Sequence, residues 1–224
     1  MATEPTRAAE TRAAATDVLR ADLALIASLV PNGSAVLDLG SSDGSLMAHL
    51  RDDKGCTVRG IELSPEGIAA SIDRGLSVVQ ADLDQGLSAY NDDSFDLVVL
   101  SQTLQVVRRP DVVVREMARV GRTCVVSFPN FAHWRVRGFL FFRGRMPVSR
   151  SIPYQWYETP NIHHTTVVDF RELCRRLDLE IVQEIPLKTN DFGHVGRVGF
   201  WPNLRADTAL AVIRRTGRPA ESGS

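Results

Sequence analysis

The feature that most constrains the fold is an alternation, beginning at Ser34, of short β-branched runs with longer stretches of helical periodicity. Such alternation is typical of an α/β fold, in which parallel strands are connected by helices packed on the sheet. We therefore predict a Rossmann-like, seven-stranded and mostly parallel sheet with helices on both faces. The predicted strands are 35–39, 57–61, 76–79, 95–100, 123–128, 180–185 and 208–213.

The helices between these strands carry recognisable start signals. Ser64 is a preferred N-cap residue, and Pro65 then fits the first helical position. Pro110 similarly precedes a run with apolar residues at helical spacing. Two further amphipathic helices are predicted at 18–29 and 168–177.

The chain is predicted to form one domain, at 15–215, with an insertion at 129–163 after the fifth strand. Its 224 residues are 44% apolar, which is enough to bury a core without disulfides or metals. The polar ends, 1–14 and 216–224, are predicted to be disordered tails.

Charge and cysteine usage exclude several classes of protein. With 26 basic and 27 acidic residues, the chain is not built to hold nucleic acid or a membrane surface by bulk charge. No apolar run is long enough for a membrane-spanning helix. Cys56, Cys124 and Cys174 are widely spaced, which argues against a disulfide framework or a zinc site. We expect a cytoplasmic protein with no metal, no nucleic-acid partner and no membrane partner.

A glycine turn, LDLGSSDG at 37–44, follows the first predicted strand and opens a helix. Gly40 permits a tight turn, Gly44 lets the helix begin close to the sheet, and the backbone between them is able to approach a nucleotide. Glu62 ends the second strand about twenty residues later, where a ribose-binding acid is expected. Asp82 follows the third strand, from which its side chain could face the adenine of a bound nucleotide. The alternative is a structural turn with solvated carboxylates.

The spacing D-x-G-x-x-x-G resembles motif I of class I S-adenosylmethionine-dependent methyltransferases. This resemblance implies that Asp38 steadies the loop and the methionine amine, that Glu62 holds the ribose, and that Asp82 meets the adenine. Ser42 stands where that family commonly has glycine, so its Cβ is expected to crowd the ligand. The implied cofactor is S-adenosylmethionine or S-adenosylhomocysteine. The candidate cofactor-binding residues are Asp38, Gly40, Ser42, Gly44, Glu62, Asp82 and Ser101.

The insertion at 129–163 is rich in aromatic residues and arginine. It holds eight of the fifteen aromatic residues of the chain and five arginines, and Glu158 is its only acid. This composition is typical of an interface core or of a lid over an anionic substrate. Two alternatives are that the rings pack the insertion onto the sheet, and that it binds single-stranded nucleic acid. The near-zero net charge makes the last of these weaker.

Several longer motifs resemble the MetW family of methionine biosynthesis proteins, and the resemblance covers about 34–214. It implies a methyltransferase-like fold that supports a homoserine O-acyltransferase as a partner subunit. The family loop usually reads LDLGCGDG, from which Ser41 and Ser42 depart. The motifs are SFPNFAHWR at 127–135, RGRMPV at 143–148, PYQWYETPNIH at 153–163, SQTLQ at 101–105 and WPNLRA at 201–206.

Two functions therefore remain open from the sequence. The first is a partner or activator subunit of homoserine acyl transfer, docking through the region of Trp134, Phe141, Arg145 and Trp156. The second is a stand-alone S-adenosylmethionine-dependent methyltransferase of small molecules. The catalytic residues are unknown, and the lack of an obvious general base does not exclude a methyltransferase, because methyl transfer from a sulfonium needs mainly in-line positioning and desolvation.

Overall fold

Eight strands form one mixed sheet at the centre of the molecule. The structure is a computed structural model that describes residues 19–149, 151–189 and 195–217. The strands are β1 Ala35–Leu39, β2 Thr57–Glu62, β3 Val78–Gln80, β4 Phe95–Ser101, β5 Gly121–Pro129, β6 Leu179–Thr189, β7 Val195–Arg197 and β8 Thr208–Arg215. Their order across the sheet is β3-β2-β1-β4-β5-β8-β6-β7. The first five strands are parallel, and β8 lies antiparallel between β5 and β6.

Helices cover both faces of this sheet. They are α1 Ala21–Leu29, α2 Ser45–Lys54, α3 Pro65–Asp73, α4 Pro110–Val120, α5 Trp134–Arg143, α6 Val167–Arg176 and α7 Pro202–Arg205. Along β4, Leu97 and Val99 belong to the apolar cluster that contains α1 and α2. Val98 and Leu100 belong to the opposite cluster, which contains α4 and α6. Because successive strand residues point to opposite faces, the central strands are buried on both sides.

The predicted α/β fold, with a mostly parallel sheet and helices on both faces, is confirmed, and the described residues form one strand more than the seven predicted. The additional strand, β7, is three residues long and pairs antiparallel with the end of β6. The third strand begins at Val78 rather than Leu76, because the Leu76 N–H donates to Ser71 O and completes the turn after α3. Helices α5 and α7 were not predicted.

The predicted helix starts are also observed. The Ser64 hydroxyl accepts the N–H of Gly67 at 3.1 Å and caps α3, and Pro110 is the first residue of α4. No helix of the described ranges is long and apolar enough to span a bilayer. The tail predicted at 1–14 lies outside the described residues, and so does Val18, the first residue of the helix predicted at 18–29. Of the tail predicted at 216–224, residues 218–224 also lie outside them.

Candidate functional site

Two adjoining clefts open at the carboxyl ends of β1 to β4. The first has a volume of about 780 Å³ and the second about 600 Å³. They share Gly40, Glu62, Thr103 and Val106, so together they form one elongated groove. Of the predicted site residues, Asp38, Gly40, Ser42, Glu62 and Ser101 line the first cleft, and Gly40, Glu62 and Asp82 line the second. Gly44 is the one predicted residue that lines neither.

The glycine turn is fixed by close packing and by left-handed backbone. Gly40 has φ +73°, and a Cβ there would lie 2.6 Å from Thr103 Oγ1. Gly44 has φ +74°, and a Cβ there would lie 2.5 Å from Leu76 Cδ1. Gly44 therefore lets the start of α2 lie close to the end of α3 and the turn that follows it. Ser42 also lies in the left-handed region, at φ +51°, which is unfavourable for a residue with a Cβ.

The Glu62 carboxylate stabilises the glycine turn and the residues after β2 by accepting backbone hydrogen bonds. Its Oε2 accepts the N–H of Ser42 at 2.7 Å, and its Oε1 accepts the N–H groups of Leu63 and Ser64, each at 2.8 Å. A carboxylate offers about four acceptor positions, so one remains for a ligand hydroxyl. Glu62 is thus an anchor of the loop as well as a candidate ligand contact.

Asp38 is a buried carboxyl group in the floor of the first cleft, with 3% of its surface exposed. Burial, and secondarily the charge of Glu62, raise the pKa of Asp38 to about 7. Loss of hydration disfavours the ionised form of a buried acid, and a nearby negative charge disfavours it further. A cation bound in the first cleft would supply the missing counter-charge.

The second cleft has a mainly apolar wall with acids at its rim. Ile61, Leu63, Leu83 and Val107 line it, among other residues. The Asp82 Oδ1 accepts the N–H of Asp84 at 3.0 Å and caps a short 3₁₀ turn. A flat, apolar ring with polar edges would fit such a surface.

Asp84 was not identified from the sequence. Its carboxylate accepts the N–H groups of Arg108 and Arg109 at 2.9 Å, which ties the loop after β3 to the start of α4. The contact joins two loops that are distant in the sequence. A single acid in a polar stretch does not indicate such a contact, so the sequence could not predict it.

Ser101, Tyr154 and Arg20 also line the first cleft. The Ser101 Oγ lies 3.2 Å from the Ser127 Oγ, on the side of β5. Tyr154 reaches the cleft from the insertion, and Arg20 reaches it from the residue before α1. The Arg20 guanidinium donates to both carboxylate oxygens of Asp22, at 3.2 and 2.7 Å. Neither Tyr154 nor Arg20 was predicted as a cleft residue.

The insertion presents its aromatic residues to solvent. Within α5 only Val136 is buried, in a small cluster with Phe131 and Ile152. Phe141 is 83% exposed and Trp156 is 72% exposed. We use the name aromatic face for the exposed rings and basic residues of the insertion: Trp134, Arg135, Arg137, Phe139, Phe141, Phe142, Arg143, Arg145, Tyr154, Trp156 and Tyr157. Arg150, the fifth predicted arginine, lies outside the described residues.

No group of three or more His, Cys, Asp or Glu side chains with the geometry of a metal site occurs in the part of the chain that the structure describes. None of the three cysteines forms a disulfide within the described residues, and all three are buried.

Comparison with known proteins gives one family and one fold. The sequence model of a family described as methionine biosynthesis protein MetW matches residues 20–213. A curated relative from Rhodopirellula baltica, the bifunctional methionine biosynthesis protein MetXA/MetW, is 36% identical over 209 residues, which are 89% of this chain. The chain spans about a third of that relative's length, 33%.

Several solved structures with a similar fold are described as methyltransferases. One from Thermotoga maritima, described as a possible histamine N-methyltransferase, has a TM-score of 0.65 at 14% identity and covers 88% of each chain. Another, an S-adenosylmethionine-dependent methyltransferase from Mesorhizobium loti, has a TM-score of 0.63 at 22% identity over 86% of this chain and 96% of its own. At these identities the likeness shows the shared fold.

Proposed function

The chain belongs to the MetW family of methionine biosynthesis proteins, and we propose that it acts as the partner or activator subunit of a homoserine O-acyltransferase. The observation that carries this proposal is the aromatic face. Of the eight aromatic residues in the insertion, Phe131 is buried and the other seven are exposed.

Such a surface is unusual for a chain that acts alone. Soluble monomers rarely expose large contiguous apolar patches, and protein interfaces are enriched in aromatic residues and arginine. The alternative that the rings pack the insertion onto the sheet is not supported by their exposure. The fused relative, whose name joins MetXA to MetW in one chain, supports the identity of the partner.

The direct test mixes this protein with a homoserine O-acyltransferase from the same organism. We expect the two to co-elute in gel filtration and the acyltransferase rate to rise on mixing. The proposal fails if the acyltransferase is fully active alone and gains nothing from this protein. Methylation of a metabolite by this protein alone would instead favour the stand-alone methyltransferase. We place the activity in the cytoplasm, where free thiols persist.

We further propose that the two clefts hold S-adenosylmethionine or S-adenosylhomocysteine. Asp38 would oppose the ammonium of the methionine portion, and Glu62 would accept from the ribose. The apolar second cleft would take the adenine, with Asp82 at its edge. The dimensions of the groove and the buried carboxyl of Asp38 support this fit. When bound, S-adenosylmethionine supplies an activated methyl group, and the residues around it bind and orient the molecule.

Replacing Glu62 by alanine should weaken S-adenosylhomocysteine binding about a hundredfold, a loss of about 2 to 3 kcal/mol. The substitution removes an acceptor for the ribose and also releases the Ser42 N–H that shapes the turn. Isothermal titration calorimetry measures the change. Glu158→Ala, at an exposed position of the insertion that lines neither cleft, serves as the matched control. Equal binding by wild type and Glu62→Ala would disprove the role of Glu62, and no binding by either would show that the site is vestigial.

Replacing Ser42 by glycine should tighten S-adenosylhomocysteine binding several-fold. Glycine adopts the observed φ of +51° without strain and removes the Cβ beside the ligand. The gain is limited because glycine adds conformational entropy to the free loop. The same titration decides the question: an unchanged or weaker affinity would mean that the turn already accommodates serine.

A further inference from the structure

A second group of exposed aromatic residues lies outside the insertion, in the segment that joins β7 to α7. Phe200 and Trp201 are each 62% exposed. Their rings stack, with the centroids 5.0 Å apart and the planes inclined by 19°. Stacked in this way, the two rings form one flat apolar surface that faces solvent. Neither the clefts nor the aromatic face gives this pair a role.

The backbone of Trp201 is in the left-handed region, with φ +48°. This conformation is uncommon for residues with a Cβ and is an outlier for a bulky side chain. Trp201 precedes α7, and its carbonyl accepts the N–H groups of Leu204 and Arg205, each at 3.0 Å. Glycine would make the same turn without strain. An exposed tryptophan at a position that favours glycine indicates that the side chain itself has a function.

The same segment carries positive charge without ion pairs. Arg197 and Arg205 are exposed, and neither pairs with a carboxylate of the described residues. Residues 195–206 contain no acid. On α6, by contrast, the exposed Arg175 pairs with Glu172 at 2.7 Å. The charge of the segment is therefore free to pair with carboxylates of another molecule. We use the name tryptophan patch for Arg197, Phe200, Trp201 and Arg205.

The tryptophan patch is tied to the start of the insertion through Asn130, which is buried. Its side-chain amide donates to the carbonyl of Asn203 at 3.0 Å and to the carbonyl of Ala206 at 2.8 Å. Its backbone N–H donates to the carbonyl of Asp207 at 2.9 Å. Helix α5, which carries much of the aromatic face, begins shortly afterwards at Trp134. These bonds therefore hold α7 and its patch against the residues that lead into the aromatic face.

The two surfaces also share their chemistry. Arg135, Arg143 and Arg145 of the aromatic face are exposed and have no carboxylate partner in the part of the chain that the structure describes. An arginine that is buried at an interface needs an opposite charge, because its desolvation is otherwise costly. Exposed rings bordered by unpaired arginines therefore favour a protein partner whose apolar surface is bordered by acids.

We propose that the tryptophan patch is a second docking site for the acyltransferase, and that the partner presents to it an apolar surface bordered by carboxylates. This inference rests on the proposed function, in which the aromatic face binds the same partner. The stacked rings supply apolar area, and Arg197 and Arg205 supply salt-dependent pairing. A partner that contacts both surfaces is held in a single orientation, because two separate anchors fix its rotation as well as its position.

The experiment measures the dissociation constant of the full chain and the acyltransferase at about 0.05 M and about 0.3 M NaCl. Trp201→Gly should weaken the complex at least about tenfold. The isolated variant should melt at the wild-type temperature or higher, because glycine adopts φ +48° without strain. Arg197→Glu combined with Arg205→Glu should weaken the complex at least about tenfold at low salt and reduce its salt dependence. Arg59→Glu, at an exposed and unpaired arginine of β2 near the opposite edge of the sheet, is the matched control and should bind as wild type does.

If Trp201→Gly melts early, Phe200→Ala replaces it, since Phe200 lies outside helices and strands. The inference alone is overturned if the acyltransferase binds wild type and the folded patch variants equally well. Absence of binding by wild type refutes the proposed function, and this inference with it. Two further results would assign the patch to another occupant and so overturn the inference. One is self-association of wild type that Trp201→Gly abolishes, and the other is binding to phosphatidylglycerol vesicles that the same variant loses.

Discussion

Asp38→Asn should make the protein more stable at pH 8 and should remove a large part of its pH dependence. The pKa of Asp38 is about 7 in the fold, against an ordinary value of 3.8. A raised pKa in the folded state gives stability that is complete below the unfolded pKa and is lost as pH rises through the folded one. The ionised carboxylate therefore costs wild type about 4 kcal/mol at pH 8, a large fraction of the stability of a domain.

Urea unfolding at pH 5 and pH 8 measures this effect. Between these values the Asp38 contribution should lower the free energy of unfolding of wild type by about 2 to 3 kcal/mol, and Asp38→Asn should lack that decrease. Asp73→Asn, at an exposed position on α3, controls for the loss of one carboxylate. An identical pH dependence in wild type and Asp38→Asn would show that the buried group does not titrate in this range.

Truncation of the aromatic face should separate partner binding from folding. Phe141→Ala and Trp156→Ala remove rings that are 83% and 72% exposed, so the isolated protein should melt at its normal temperature. Interfaces depend on a few aromatic and arginine anchors, so at least one variant should lose about 2 kcal/mol of association energy. That loss weakens the complex about thirtyfold. Trp134→Ala and Arg145→Ala complete the series.

Two control variants test whether a loss of binding is specific to the aromatic face. Ile72→Ala, on the exposed side of α3, removes apolar surface beyond the insertion and should bind the acyltransferase normally. Phe131→Ala removes a buried ring of the insertion and should cost about 3 to 5 kcal/mol of stability. Sedimentation with the acyltransferase and its rate at limiting concentration report the result. Normal association in all four aromatic-face variants would exclude this surface as the interface.

The sheet and its rim were predictable because they depend on local pattern. Local sequence determines the β-branched strands, the glycine turn and the N-cap at Ser64, because each depends on residues a few positions away. The acids at the strand ends could be placed at one edge of the sheet because parallel strands end at the same edge. Asp84 and Tyr154 were not predictable, since each acquires its role from a segment distant in sequence. Composition alone predicted an interface core or a lid over an anionic substrate at 129–163, but only the structure shows that the rings of α5 are exposed to solvent.

The position of β8 has a consequence for synthesis of the chain. Of the strands in the described residues this one comes last in the sequence, yet it lies inside the sheet, paired with β5 on one side and with β6 on the other. Until Thr208–Arg215 has left the ribosome, two strand edges stay unpaired and open to aggregation. The sheet can therefore close only after translation has passed this segment, and we expect a nascent chain stalled before Thr208 to be bound by chaperones or cleaved by proteases.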